Sequence, residues 1–213
     1  MVNEIHTVIF DLDGTLSDSA ILTTSAMRKL SPEYGLPMPS EDAIRSATGY
    51  ANPEFYYLLF PDFPRDTVRD FGNCVENEEL RVLPLLGGRL LFEGCREMLE
   101  NLKECGIRLC IASTGDRGHV FSVLNETGII NLFDTVFCGS PDKNEMLRGL
   151  VRDGSKDGYL MVGDMKKDHE AAKVNGILSA GACYGYCKRD LTDFDFYVDT
   201  PGELLHMLQI KGG

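Results

Sequence analysis

The 213-residue chain has no tryptophan, an absence that excludes little. Its other shortages say more. Lysine and arginine number 21 against 33 aspartates and glutamates, for a net charge of −12. Such a chain is repelled by nucleic-acid phosphates, and no local basic cluster reverses the sign, so nucleic acid is not an expected partner. The same acidity means that a phosphorylated substrate needs a local cation in order to approach. No stretch nears the ~20 apolar residues of a membrane span. The N-terminal MVNEIHTVIF lacks the basic segment and long apolar run of a secretory signal. The seven cysteines include no C-x-x-C pair, and Cys183 and Cys187, four apart, have no matching Cys/His pair to complete a zinc site. Cys110, inside LCIA, and Cys138, ending VFC, read as small buried hydrophobes. The reducing cytoplasm is the expected compartment.

Hydrophobic residues make up 43% of the chain, enough for a substantial core. Short apolar runs of strand length begin with Val8-Ile9-Phe10 and continue as IRLCIAS, LFDTVFCGS, DGYLMVGD, GILSAGACYG and DFYVDT. Between them lie segments with helical spacing. In FEGCREMLENLKECG, Cys95, Met98, Leu99 and Leu102 share a face and Gly106 is the stop. HVFSVLNETGI ends at Gly128 and KNEMLRGLVRDG at Gly154; DHEAAKVNGI follows, and PGELLHML starts on Pro201. Strands alternating with helices of this length predict βαβ units, hence an α/β fold with a doubly wound, Rossmann-like parallel sheet and right-handed crossovers. Residues ~17–83 differ. SAILTTSAMRKL and PRDTVRDFGNCVENEEL are helix-like, Pro32, Pro37, Pro39, Pro53, Pro61 and Pro64 divide the stretch, and it has no clear strand. It reads as an all-helical insertion: a core of residues 1–16 and 84–213, a cap of 17–83, with joints near Leu16–Ser19 and Gly87–Gly88.

Four of the apolar runs stop at residues with evident chemistry. The first gives Asp11 and Asp13; RLCIA gives Ser113, Thr114 and Gly115; TVFCG is followed closely by Lys143; YLMV gives Gly163 and Asp164, with Asp168 four further on. In a parallel sheet these ends share one edge, where ligands collect. Carboxylates so crowded repel one another unless a cation sits among them, and a hard divalent ion such as Mg²⁺, which takes few carboxylates and binds alongside phosphate, suits oxygen ligands. On an extended strand end residues i and i+2 point the same way, so Asp11 and Asp13 are expected to face one crevice. One carboxylate can attack phosphorus, and the other can give a proton to the leaving oxygen and later draw one from water. Ser113 and Thr114, with adjacent backbone N–H groups, can hold phosphoryl oxygens, and Lys143 supplies a point charge to them.

DLDGTLSDS, IAST, the lysine of DKNEML and VGDMKKDHEAAKVNG resemble the four motifs of the haloacid dehalogenase superfamily, over nearly the whole chain. The tail, with its Tyr184-Gly185-Tyr186 turn and DFYVDT strand, is similar to phosphoglycolate-phosphatase-like members, and IRSATGYANPEFYYLLFP resembles their helical cap. The resemblance implies a Mg²⁺-dependent phosphatase of a small phosphorylated metabolite, acting as monomer or homodimer. Asp11 would be nucleophile and Asp13 general acid/base. Asp11, Asp13 through its main-chain carbonyl, and Asp164 would ligate Mg²⁺, Ser113, Thr114 and Lys143 would bind the phosphoryl group, and Asp168 would support the metal or pair with Lys143. Lys143 is followed by Asn144 where close relatives have proline, and STGDRGH stands where Thr-Asn-Lys or Ser-Ser-Lys is commoner.

Other readings stand beside this one. D-x-D-G-T alone can be an Asx turn, Ser113 a helix N-cap, and Asp168 a first-turn helix stabiliser. Lys166, Lys167 or Lys188 can substitute for Lys143. His6, His119, His169 and His206 do not converge in pattern and read as surface or structural. Arg45, Thr48, Gly49 and Tyr50 either face substrate or simply end a helix. Lys29 suggests Schiff-base chemistry on a phosphonate aldehyde, but such relatives usually lack the second aspartate. A β-phosphoglucomutase-like phosphomutase would form the same intermediate, and a nucleotidase or pyrophosphatase would share the motifs. A signalling receiver domain carries its phospho-acceptor elsewhere than on the first strand, and dehalogenation has no need for Asp13.

Overall fold

The computed structural model describes residues 5–48, 50, 52–151, 158–186 and 193–209. Six strands, β1 (Thr7–Phe10), β2 (Arg108–Ser113), β3 (Thr135–Cys138), β4 (Tyr159–Gly163), β5 (Leu178–Ala182) and β6 (Phe196–Val198), form one sheet in the order β3-β2-β1-β4-β5-β6. All neighbours are parallel. β1, β2 and β4 are buried almost throughout, as expected of strands covered by helices on both faces. The edge strand β3 is only half-buried, so Cys138 is not the buried hydrophobe its run suggests.

The core helices are α5 (Cys95–Glu104), α6 (Arg117–Glu126), α7 (Lys143–Leu150), α8 (Lys166–Asn175) and α9 (Pro201–Met207). In α5 the buried residues are Cys95, Met98, Leu99 and Leu102, the face read from the sequence. Helix starts are set by side chains that accept otherwise unpaired N–H groups. Asp116 accepts from the His119 N–H at 3.1 Å, Asp142 from Asn144 at 2.9 Å and Thr200 from Glu203 at 3.3 Å. Pro201 occupies the first turn of α9, where its missing donor costs nothing. The Gly154 stop and Cys187 lie outside the described residues, as do Lys188 and Gly49.

Four helices, α1 (Ala20–Tyr34), α2 (Glu41–Ala47), α3 (Glu54–Leu59) and α4 (Arg65–Leu86), intervene between β1 and the rest of the sheet. They enclose their own apolar cluster, which includes Met27, Ile44, Phe60, Val68 and Val75. At its centre the Phe71 ring meets Tyr34 at 5.4 Å, Phe60 at 5.5 Å and Tyr56 at 6.1 Å, all edge-on. Pro32 does not divide this stretch; it lies within α1, two residues before the last. So near a C-terminus, a missing N–H and a ring clash affect only the final turn.

The passages into and out of the helical layer run side by side. Asp18 N–H donates to the Leu90 carbonyl at 2.9 Å, and Phe92 N–H to Leu16 at 3.1 Å. The order of the strands reverses beside β1: the chain leaves it for β2 and β3 on one side, then returns to β4 on the other. Phe10 is level with both Ile111 and Val162, so the residues that follow these strands emerge together. A doubly wound sheet opens its ligand crevice at such a point.

Candidate active site

Asp11, Asp164 and Asp168 place carboxylate oxygens within 4.8 Å of one another, and all three are buried. Lys143, the first residue of α7, reaches in with its side chain 3% exposed. Its Nζ lies 2.7 Å from Asp11 Oδ2 and also donates to Asp168 Oδ1. Asp168 Oδ2 accepts the Met165 N–H at 2.9 Å. The two readings of Asp168, partner of Lys143 and stabiliser of the first turn of α8, therefore hold together. Asp164 Oδ1 accepts from the Thr15 hydroxyl at 3.1 Å, whereas Asp164 Oδ2 is buried with no partner.

Two glycines make this crowding possible. Gly14 has φ +79°, and a Cβ there would overlap the Asp164 carboxyl. A Cβ on Gly163 would overlap that of Asp168. The D-x-D-G-T motif is thus more than a turn; its glycine lets the backbone pass against a carboxylate of another strand.

Three negative groups facing one ammonium leave an excess of charge. Burial pushes the Asp11 carboxyl above its ordinary range; Lys143 opposes the shift and Asp168 adds to it. Burial, then the charges of Asp168 and Asp11, push Asp164 well above the usual carboxylate range. Burial works against the Lys143 ammonium, but Asp11 and Asp168 outweigh it and hold its proton above the usual lysine range. An orphaned buried oxygen in an all-oxygen set with surplus negative charge fits a hard dication.

Asp13 makes different contacts. Its Oδ1 accepts from the Ser19 hydroxyl and lies 2.9 Å from His119 Nε2. Its carboxylate is not in the set that could hold an ion; any ligand from this residue would be its carbonyl. Asp11 and Asp13 both feel the Lys167 ammonium, but their direct partners differ: Lys143 for Asp11, Ser19 and His119 for Asp13. Burial would raise Asp13, but the His119 charge and the hydrogen bonds from His119 and Ser19 prevail and hold it below its ordinary value. Burial works against the charged imidazole of His119, yet Asp13, Glu79 and Asp116 carry it up to about 9.

His119 is the residue the sequence reading missed. Of the other described histidines, His6 lies 3.0 Å from Thr7 Oγ1, His169 lies 3.2 Å from Ser179 Oγ, and His206 is exposed. A signal was present. Asp116 is the N-cap of α6, so His119 falls in its first turn, and helical side chains lean toward the N-terminus. Here that end faces the strand ends. Ser113 is not a helix cap; it is 1% exposed, and its Oγ accepts from the Gly115 N–H at 3.1 Å. Thr114 Oγ1 accepts from Lys167 Nζ at 2.8 Å. Of the alternative lysines, Lys166 pairs with Glu170 at 3.2 Å on the surface, away from Asp11.

The helical layer contributes Glu79. Val68, Phe71, Gly72, Val75 and Leu83 form the buried stripe of α4, and Glu79 stands on it where an apolar residue is expected. Its carboxyl accepts from the Thr23 hydroxyl of α1. Burial pushes it up to about 7, against the lowering influence of His119 and Thr23. Burial also raises Glu76, one turn earlier, with Asp116 adding to the effect. Lys29 does not point to imine chemistry; it pairs with Glu78 at 2.7 Å on the surface. Arg45 lies 3.7 Å from Asp18 and over the Tyr186 ring, whose hydroxyl also bonds Asp18. The Tyr-Gly-Tyr turn thereby grips the passage into α1, and its Tyr186 N–H donates to the Gly14 carbonyl at 3.3 Å.

Glu79 has a measurable consequence. An unfolded glutamate loses its proton near 4.5, and the folded one near 7. Between these values only the folded state keeps the proton, so this group's contribution to stability falls as pH rises from about 4.5 to 7, then levels off. Glu79→Gln is expected to leave stability at pH 4 nearly unchanged and to raise it by about 1–3 kcal/mol at pH 8. Urea denaturation at the two pH values checks this.

The sequence profile of the haloacid dehalogenase-like hydrolases matches residues 8–182. The chain belongs to that family. Among curated proteins, a phosphoglycolate phosphatase of Synechococcus elongatus is 28% identical over 93% of this chain and 94% of its own. A phosphorylated carbohydrates phosphatase of Thermotoga maritima is 31% identical over 80% of this chain and 81% of its own. A crystal structure of a predicted phosphoglycolate phosphatase from Haemophilus somnus superposes with a TM-score of 0.82 at 21% identity, covering 97% of this chain and 99% of the other. The Haemophilus somnus structure shares the fold seen here. Among the described residues no helix is long and apolar enough to cross a membrane.

Proposed function

We propose that this family member is a Mg²⁺-dependent phosphatase of small phosphate monoesters, working through an aspartyl-phosphate. The observation that carries the reading is the buried Asp11-Asp164-Asp168 set, joined by Lys143 and with Asp164 Oδ2 unpartnered. Asp11, Asp164 and the carbonyl of Asp13 would hold Mg²⁺, with Asp168 in support. The ion, when bound, neutralises the crowded carboxylates and draws charge from the phosphoryl oxygens.

The remaining chemistry belongs to the chain. Lys143 holds Asp11 by one oxygen and presents its charge to the incoming phosphoryl group, which Ser113 and Thr114 also bind. Asp11 forms a bond to phosphorus as the ester oxygen departs, and Asp13 gives that oxygen a proton. Water then attacks phosphorus, the Asp11–phosphorus bond breaks, and Asp13 takes the water's proton back. Asp13 is ionised at rest; it takes up a proton from water as the phosphoryl oxygens approach. It passes that proton to the ester oxygen, regains one from the attacking water, and releases it to solvent once phosphate leaves. Residues 17–83 act as the cap that excludes bulk water and selects the leaving group.

The cap bears on the choice of substrate. Glu79 and Glu76 feel the charge on His119 beside Asp13. A carboxyl accepts hydrogen bonds from hydroxyls in either protonation state and, when charged, repels another carboxylate. Sugar phosphates, which offer hydroxyls, and phosphoglycolate, which offers a carboxylate, are the substrates to compare. The test is release of inorganic phosphate from p-nitrophenyl phosphate, from phosphoglycolate and from a panel of sugar phosphates, with Mg²⁺ or with EDTA. Activity is expected to fall at least about 100-fold on chelation and to return with Mg²⁺; full activity in EDTA would refute the metal. Isomerised sugar phosphate outpacing free phosphate would instead make the protein a phosphomutase.

A further inference from the structure

Both contacts on Asp13 fall on the same oxygen. Ser19 Oγ and His119 Nε2 each approach Oδ1, and among the described residues none hydrogen-bonds Oδ2. The ring itself is held in place: His119 is in the first turn of α6, where Asp116 caps its N–H, and Glu79 of α4 attracts its charge. Ser19 is likewise fixed, since its Oγ lies 2.9 Å from that of Ser17. One oxygen of the carboxylate is thus anchored by two groups on separate elements, and the other accepts no hydrogen bond from a described residue.

We propose that His119 is a positioning residue, which with Ser19 anchors Asp13 through Oδ1 so that Oδ2 alone gives and takes the proton. The idea rests on the phosphatase reading and adds to it a division of labour within one carboxylate. A carboxylate free to rotate about its Cβ–Cγ bond offers either oxygen at many angles. Fixing it removes that freedom and keeps one lone pair aimed at the ester oxygen, as proton transfer requires. Without the His119 donor, Asp13 still exists but samples unproductive rotamers. The loss then falls on the step that needs its proton.

The experiment compares leaving groups. p-Nitrophenolate departs readily without a proton, whereas an alkoxide does not. kcat/KM reports formation of the phosphoenzyme, so it isolates the step in which Asp13 acts as acid. It is measured for wild type, His119→Phe and His119→Gln with p-nitrophenyl phosphate and with glycerol 2-phosphate. The Phe variant is expected to lose about 10- to 100-fold more on the alkyl ester than on the aryl ester. Gln, whose amide N–H reaches nearly where Nε2 sits, restores most of the loss. Ser19→Ala, which removes the other donor to Oδ1, shows the same selectivity in milder form and serves if the Phe variant fails to fold. Equal losses on both esters, no loss, or no rescue by Gln would overturn the positioning role. If wild type hydrolyses neither ester, or Asp11→Asn remains active, the phosphatase reading itself fails.

Discussion

Asp11→Asn is expected to abolish phosphate release, with kcat falling by at least about 10³-fold. The substitution keeps the shape of the side chain and its hydrogen bond to Leu12, whose N–H meets Asp11 Oδ1 at 2.9 Å. What it removes is the anionic oxygen that, in the proposed mechanism, bonds phosphorus. The fold should tolerate the change, because burial already works against charge at this position and Lys143 retains Asp168. The melting temperature is therefore expected to move by only a few degrees. Acid quenching with labelled substrate supplies the check. Wild type should yield a base-labile phosphoenzyme and the variant none; a variant with wild-type turnover would remove Asp11 as nucleophile.

Lys143→Met is expected to damage stability and activity together. Among the described residues the lysine is the one cation in contact with both Asp11 and Asp168, and all three side chains are buried. Removing one member of a buried ionic group leaves uncompensated charge, at a cost of about 3–5 kcal/mol. At this chain length that corresponds to a fall in melting temperature of roughly 6–20 °C. Activity should drop at least about 100-fold, since the charge proposed to bind the phosphoryl group disappears too. Two further signs identify the cause. The carboxylates' raised pKa values mean that their burden on the folded state grows as pH rises and is relieved as they protonate at low pH. The deficit should therefore shrink in acid. Mg²⁺ should also raise the melting temperature of the variant more than that of wild type, because it then supplies the missing positive charge. Thermal melts at several pH values, with Mg²⁺ or EDTA, decide both points.

Much of this architecture was legible because its signals are local. The strand runs, the α5 stripe and the stops at Gly106 and Gly128 depend on side chains within one element, and the structure reproduces them. The floor of the site was legible for a topological reason. Polar residues that end parallel strands must meet at one edge, so Asp11, Ser113 and Asp164 could be brought together from order alone. His119 and Glu79 were harder, because each acquires meaning only from residues distant in sequence: His119 meets Asp13 just after β1, and Glu79 of the helical layer acts on the His119 charge. Their local patterns nonetheless carried hints. A histidine three residues after an N-cap aspartate leans toward the strand ends, and a glutamate on an otherwise apolar stripe needs a reason to be there. Cys138 and Pro32 were misread for the opposite reason: the local pattern was plain, but position at a sheet edge or in a final helical turn overrode it.

The paired passages between sheet and helices have a consequence for how such proteins diversify. Asp18 bonds to Leu90 and Phe92 to Leu16, so the roof is attached to the floor at two neighbouring points. Replacing the residues between those points, while keeping Ser19 and Glu79 that hold Asp13 and His119, leaves the sheet's own register and the groups beneath it intact. Lineages built on this plan can therefore exchange their selectivity wholesale, by insertion, shuffling or drift in one segment, while the inherited reaction stays the same.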